Sequence, residues 1–325
     1  AGGFHRYSTD AAWMVPHFEK MADDNAWLLR NYLDAYAVYG DERYRDVARG
    51  IIRFVRDVLS DRAGGFFASQ DADVTPDDEG GYFTWSEREL HDILTIDEFE
   101  ALSLHLFSDQ GRLHHDPEKR VLSVAMSPGE MAGHLGLSED AVRTRIESAK
   151  RKLLDARSRR EAPFVDRTLY TSLNAMFITS FLKAFRVLGD VRCRDFALAS
   201  LERVLRERAV PGGLEHAANV PALLDDVIFF VEALVAAYEA TADRSLLARA
   251  EQFMERALAE FGDPSGGFFD TREAVLGVRL KRIEDIPHPS ANAVAALQLI
   301  KLWHITGKDR YRDAAEGTLA IFNAS

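Results

Sequence analysis

A pattern of paired helices, joined by a short turn and closed by a glycine loop, comes round three times in this chain. It constrains the fold more than any single motif. The turns lie at Gly40-Asp41, Gly189-Asp190 and, more loosely, Thr241-Ala242-Asp243. Each turn is followed by a helical stretch of about twenty residues. The loops that follow are Gly64-Gly65-Phe66-Phe67, Gly212-Gly213-Leu214 and Gly266-Gly267-Phe268-Phe269. A further turn at Gly307-Lys308 opens the last helix, and Gly2-Gly3-Phe4 reads as the tail of another hairpin. One helical hairpin cannot bury its apolar stripe alone, so repeated hairpins stack on one another. The pattern predicts an all-α toroid or solenoid, taken here as one domain over residues 1–325.

Apolar periodicity places the helices. Residues 16–39 read as a helix, with Pro16 in its first turn and Leu28, Tyr32 and Tyr36 four residues apart. Its partner, 41–60, carries Val47, Ile51, Phe54, Val55 and Val58 on one face. Residues 64–85 read as loop with short β-hairpins. Ser86 with Glu89 has the spacing of a capping box. Residues 97–107 read as helix and 108–126 as irregular. Ser138 opens a basic helix to about Arg160. Further hairpins follow at 168–188 with 191–209, 221–241 with 243–261, and 289–305 with 308–323. In the helix 221–241, Val227, Phe230, Val231, Leu234 and Tyr238 form the buried stripe.

Composition narrows the function classes. With 40 basic and 52 acidic residues the net charge is −12, which argues against a general nucleic-acid binder. Cys193 is the one cysteine, so no internal disulfide and no cysteine-rich zinc site is expected. No apolar run approaches membrane-spanning length and no signal peptide precedes Gly2, so a cytoplasmic, membrane-free protein is expected. Ser127-Pro128-Gly129-Glu130-Met131-Ala132 followed by Leu135-Gly136-Leu137-Ser138 has the look of a helix-turn-helix. The same turn serves any two packed helices, and the acidic chain disfavours the DNA reading.

Candidate site residues crowd into the loops. The first cluster holds His5, Arg6 and Tyr7, then Trp13, His17, Lys20, Asp24 and Asn25; on a helix, His17, Lys20 and Asp24 would stack on one face. The second holds Gln70, Asp71 and Asp73, then Glu79, Tyr82 and Trp85. Paired carboxylates beside aromatics suit sugar chemistry, in which one group donates a proton and another accepts it. Asn174 follows Asp166-Arg167, and Asp225-Asp226 opens a helix. Arg279 and Lys281 alternate as on a strand and can face one pocket, ahead of His288 and Asn292. His114-His115-Asp116 is the lone histidine pair and has no third partner at metal spacing, so neither a metal nor a cofactor is expected.

These residues resemble the YyaL-type family of thioredoxin-domain-containing proteins, which includes spermatogenesis-associated protein 20. The resemblance is carried by Gly-Gly-Phe-His-Arg-Tyr-Ser at 2–8, Trp13, Val-Pro-His-Phe-Glu-Lys-Met at 15–21 and Asp24-Asn25-Ala26. Gln70-Asp71-Ala72-Asp73, Glu79-Gly80, Tyr82, Trp85, Asp225-Asp226, Arg279, Lys281, Asp285 and Pro289-Ser290 with Asn292 follow in order. It implies an (α/α)6 toroid, similar to six-hairpin glycosidases and N-acylglucosamine 2-epimerases, lacking its first helix or hairpin. It also implies a thioredoxin-like domain or partner upstream, and makes 127–160 a helical linker insertion. Where the family has Trp, Lys, Tyr and Gly, this chain has Leu173, Arg167, Val227 and Ala291. Loss of a pocket tryptophan removes a stacking platform for a sugar.

Three functional expectations follow. The first is a sugar epimerase or isomerase, with His5, His17 and His288 as acid and base and Arg6 and Arg279 steadying an enolate oxygen. The second is a glycoside hydrolase using Asp71, Asp73 or Glu79. The third is a non-enzymatic scaffold working with a thioredoxin-like partner. A sugar ligand and a homodimer complete the expected partners.

Overall fold

The computed structural model describes residues 2–211 and 213–323, so Gly212 of the second glycine loop lies outside the described residues. Twelve α-helices are present among them: α1 (Ala22–Tyr39), α2 (Glu42–Asp57), α3 (Glu87–Ile93), α4 (Ile96–Leu106), α5 (Pro128–Leu135), α6 (Glu139–Arg157), α7 (Thr171–Leu188), α8 (Val191–Arg208), α9 (Leu224–Thr241), α10 (Arg244–Glu260), α11 (Ala291–Thr306) and α12 (Asp309–Ala320). The chain forms two compact units. One comprises Gly3–Met21 and Gln70–Val165, and the other Gly2, Ala22–Ser69 and the chain from Asp166 onward.

The second unit holds the repeats. Helices α1, α7, α9 and α11 pack side by side in that order, and α2, α8, α10 and α12 each fold back on the helix before them. Burial follows this layering. Helix α2 buries one stripe, Ala48, Ile51, Ile52, Phe54 and Val55. Helix α9 buries every residue from Asp226 to Val235, as expected of a helix with neighbours all round.

Local chemistry sets the repeated turns. Gly189, Ala242 and Gly307 end their helices in the left-handed conformation at φ of 71°, 59° and 70°. Asp41, Asp190 and Asp243 then cap the returning helix by accepting from the backbone N–H two residues on. The glycine loops repeat in detail as well. Phe67 N–H donates to Leu59 O at 2.9 Å, and Phe269 N–H to Phe261 O at 2.8 Å. A Cβ on Gly266, at φ +105°, would lie 2.3 Å from the Gly317 carbonyl oxygen; one on Gly64 would lie 3.1 Å from that of Ala199. The loop can approach the outer helix this closely only as glycine. Cys193 is fully buried on α8, and burial pushes its thiol up to about 12.

In the first unit residues 127–160 are largely helical, as α5 and α6. The capping boxes at Ser86 and Ser127 form. Leu90, Leu94, Leu102, Leu106, Ala149 and Leu153 pack around Trp85, and Met131, Val142 and Ile146 pack on Ala101. Three of the six basic residues of α6 pair with acids: Arg143 with Glu139, Arg145 with Asp97 and Lys152 with Glu98.

Two expectations are corrected here. Residues 108–126 are not irregular throughout, since Lys119–Leu122 pairs antiparallel with Phe107–Arg112 on one side and with Trp85–Ser86 on the other. Helix α1 begins at Ala22, not at 16. Residues 7–17 form a hairpin in which Thr9 N–H donates to Val15 O and His17 N–H to Tyr7 O, both at 2.9 Å. Asp10 fixes its turn by accepting from Ala12 N–H at 2.8 Å and Val15 N–H at 2.6 Å. His17 and Lys20 therefore lie on extended backbone and do not share a helix face with Asp24. No helix among the described residues is long and apolar enough to cross a membrane.

Candidate functional site

In the second unit, polar side chains converge at the start of α9. Asp226 has no solvent-accessible surface. Its carboxylate accepts from Leu223 N–H at 2.9 Å and Ser172 N–H at 3.0 Å, and His216 Nδ1 lies 2.9 and 3.0 Å from its two oxygens. His216 projects from the strand Gly213–Ala217, and its ring rests 4.9 Å from that of Tyr170. A carboxylate only accepts, so Nδ1 carries the proton, and Nε2 of the neutral ring holds the lone pair. The bond to Asp226 raises the His216 pKa above its ordinary value against the opposing effect of burial.

Asp225 faces a second group. Burial raises its pKa above the usual carboxylate range, while Arg282 and His288 oppose this. Arg282 Nη2 lies 4.0 Å from Asp225, and Arg282 Nε donates to Asp270 at 3.0 Å. His288 Nδ1 donates to Pro289 O at 3.1 Å, and its ring meets Phe229 edge-on at 5.5 Å. A cavity of about 180 Å³ is lined by Asp225, Asp270, Arg282, Glu284, His288 and Ser290. His216 and His288 thus each have a fixed ring nitrogen, and Asp225 interacts electrostatically with both.

A larger cavity of about 670 Å³ lies between α1, α7, α9 and α11, with Trp27, Arg30, Glu232 and Pro289 in its wall. Arg30 grips Glu232 through two bonds of 3.0 and 2.7 Å, and its guanidinium lies 4.2 Å from the Trp27 ring centroid. Trp27 Nε1 is buried without a hydrogen-bond partner among the described residues. Nothing in the sequence analysis singled out His216, Asp270, Arg282, Trp27, Arg30 or Glu232. One signal for His216 was available: like His5, it follows a Gly-Gly-hydrophobic loop within three residues of the second glycine.

Several expected site residues in this unit hydrogen-bond to the glycine loops. Asn174 and Asn292 have no accessible surface. Asn174 accepts from Phe66 N–H at 2.8 Å and donates to Phe66 O at 3.0 Å; Asn292 does the same to Phe268 at the same two distances. Each clamps a glycine loop, which satisfies buried backbone groups and leaves the amide no capacity for a sugar. Arg279 donates to Thr271 O and Glu260 O, and Lys281 to Gly266 O, with an ion pair to Asp263 at 2.7 Å. Both cations tether the loop, and both lie over the Phe269 ring, at 4.2 and 5.3 Å from its centroid. Asn25 is fully buried on α1, one residue after Asp24.

In the first unit, His5, Lys20 and Tyr82 gather around Phe18 and Phe83. His5 meets those two rings edge-on at 5.4 and 5.0 Å, and its Nδ1 donates to Phe18 O at 2.7 Å. Burial, helped by the Lys20 charge, lowers the His5 pKa to about 3, so the ring is neutral at pH 7. Lys20 donates to Gly3 O at 3.1 Å, and burial brings its pKa down to about 7. His17 stacks on Tyr7 at 4.9 Å, and Arg6 pairs with Glu19 at 3.3 Å. Trp13 is 81% exposed at a hairpin turn. Gln70 is buried, Asp71 and Asp73 are half-buried and Glu79 is exposed. Trp85 is a core residue whose ring is covered by Arg160 at 3.8 Å, so it offers no open stacking face.

No family model matches the chain. It is 33% identical to human spermatogenesis-associated protein 20 and 32% identical to the mouse protein, in each case over 99% of this chain and 46% of the relative. The chain thus spans about half the length of the curated relatives it matches. Among solved structures it resembles a sugar epimerase from a ruminal bacterium at TM-score 0.51 and 12% identity, covering 99% of this chain and 80% of that one. It also resembles a D-mannose isomerase at TM-score 0.55 and 11% identity, covering 98% and 63%. With the helical hairpins of the second unit, these likenesses establish an (α/α)6-toroid fold, and relatives with detectable sequence similarity include the human and mouse spermatogenesis-associated protein 20.

Proposed function

We propose that the chain carries the proton-transfer centre of a sugar epimerase or isomerase, at the start of α9. The observation that carries this reading is the His216–Asp226 pair, with Asp225 in electrostatic reach of both His216 and His288. Epimerisation beside a carbonyl needs one group to remove the proton on carbon and another to deliver a proton to the opposite face. One ring starts neutral and takes the proton on its Nε2 lone pair; the other starts as imidazolium and gives its Nε2 proton, a role that suits His216, whose pKa the Asp226 bond raises. The C–H electron pair moves into an enolate while one imidazole takes the proton. Arg282 supplies positive charge for the enolate oxygen, and the enolate then collapses onto a proton from the other ring. The fold shared with the epimerase and the isomerase is compatible with this chemistry but does not assign it.

The test is incubation of the whole chain in D₂O with D-mannose, D-glucose, D-fructose, N-acetylmannosamine and cellobiose. Proton NMR then follows loss of the signal beside the carbonyl. Deuterium wash-in that disappears in His216→Gln and in His288→Gln supports the reading. A folded wild-type chain that exchanges no proton in any of these sugars refutes it.

A further inference from the structure

We propose that a groove lined by arginines, between α2 and the turn joining α7 to α8, binds a small molecule bearing two phosphoryl groups. Arg49, Arg53 and Arg56 follow one another at four- and three-residue spacing, so they share one face of α2. With Asp57, Asp190 and Arg192 they line a cavity of about 660 Å³. Arg192 is already held by Asp190, at 3.0 and 3.1 Å. Arg49, Arg53 and Arg56 make no side-chain hydrogen bond or ion pair with any described residue.

The arginines of α2 differ along its length. At the other end of the same helix Arg43 pairs with Asp41 and Arg45 with Glu42. Arg49, Arg53, Arg56 and Arg192 outnumber the two carboxylates in this lining, Asp57 and Asp190, and an anion supplies further negative charge. The guanidinium fork matches phosphoryl oxygens in pairs of bonds. Seven residues of helix separate Arg49 from Arg56 by about 10 Å along the axis. Such a row is longer than one phosphate and suits two joined phosphoryl groups; Asp57 and Asp190, in the same lining, oppose any anion and limit the affinity. This site shares no residue with the α9 cluster and does not depend on the sugar reading.

The experiment is isothermal titration of the full chain, at low salt and without divalent metal, with inorganic pyrophosphate and separately with inorganic phosphate. Pyrophosphate is expected to bind with a Kd at or below about 1 mM. Phosphate is expected to bind about tenfold more weakly, and the double variant Arg53→Ala/Arg56→Ala to lose at least about tenfold for pyrophosphate. All three arginines are exposed, so circular dichroism and melting of the variant should match wild type. Arg244→Ala, on an exposed arginine of α10, should leave the affinity unchanged. The proposal is overturned by an absence of pyrophosphate binding, by equal affinity for both anions, or by a loss in Arg244→Ala as large as in the double variant.

Discussion

His216 Nδ1 sits 2.9 Å from one carboxylate oxygen of Asp226 and 3.0 Å from the other, while backbone N–H groups of Leu223 and Ser172 hold that carboxylate in place. The imidazole is thus oriented by a carboxylate that is itself fixed by the chain. Asp226→Asn keeps the shape and removes the charge. Loss of a charged, buried hydrogen-bond acceptor should cost about 1–3 kcal/mol in urea unfolding. If His216 transfers the proton, wash-in should fall by about 10²–10⁴. A variant with lowered stability and unchanged wash-in would leave the pair a purely structural role.

Asn174 and Asn292 occupy equivalent places, and their truncation should have equivalent effects. Asn174→Ala and Asn292→Ala each strand the N–H and C=O of a buried phenylalanine, so each should lower stability by about 2–4 kcal/mol. Asn174→Asp can still accept from Phe66 N–H but cannot donate to Phe66 O. It should therefore be no more stable than the wild type and show a pH-dependent loss. Wild-type stability for either alanine variant, by chemical denaturation, would contradict the clamp.

Arg30 and Glu232 form a buried ion pair with about 7% and 9% of the side chains accessible. Removing one partner leaves a charge in a low-dielectric site. Arg30→Met or Glu232→Leu alone should cost about 3–5 kcal/mol, and the double variant should recover much of that loss. A double-mutant cycle with coupling near zero would show that the pair contributes no mutual stabilisation.

His5 makes acid stability a readout of the first unit. Its native pKa, about 3, lies below the ordinary 6.5, so between those values the unfolded chain holds a proton that the native ring does not. Stability is therefore full above about pH 6.5 and falls as pH drops towards 3, by up to about 1.4 kcal/mol per pH unit. His5→Phe, which keeps an aromatic ring beside Phe18 and Phe83, should flatten the dependence across that window. An unchanged slope in guanidinium titrations at several pH values would assign the acid lability to other groups.

Much of the hairpin scaffold was legible because its signals are local. The glycines and aspartates at 40–41 and 189–190 act through φ and a cap within two residues, and the pairs of helices around them follow from 3.6-residue periodicity. The start of α1 was misread because Leu28, Tyr32 and Tyr36 have helical spacing while the backbone from Tyr7 to His17 pairs with itself around Asp10. The candidate site was less legible. Asp225, Asp226 and His288 could be picked out as polar residues in loops and at a helix start. Asn174, Asn292, Arg279 and Lys281 carry the same sequence signature, yet they hold glycine loops.

By itself the sequence determined where hairpins turn, since helix periodicity, left-handed caps and aspartate caps depend on neighbours in the chain. Only the tertiary structure decided which polar groups face one another. His216 and Asp226 are ten residues apart, Arg30 and Glu232 about two hundred. Whether an asparagine clamps backbone or a histidine gains a carboxylate depends on distance and burial across packed elements, and periodicity does not encode those.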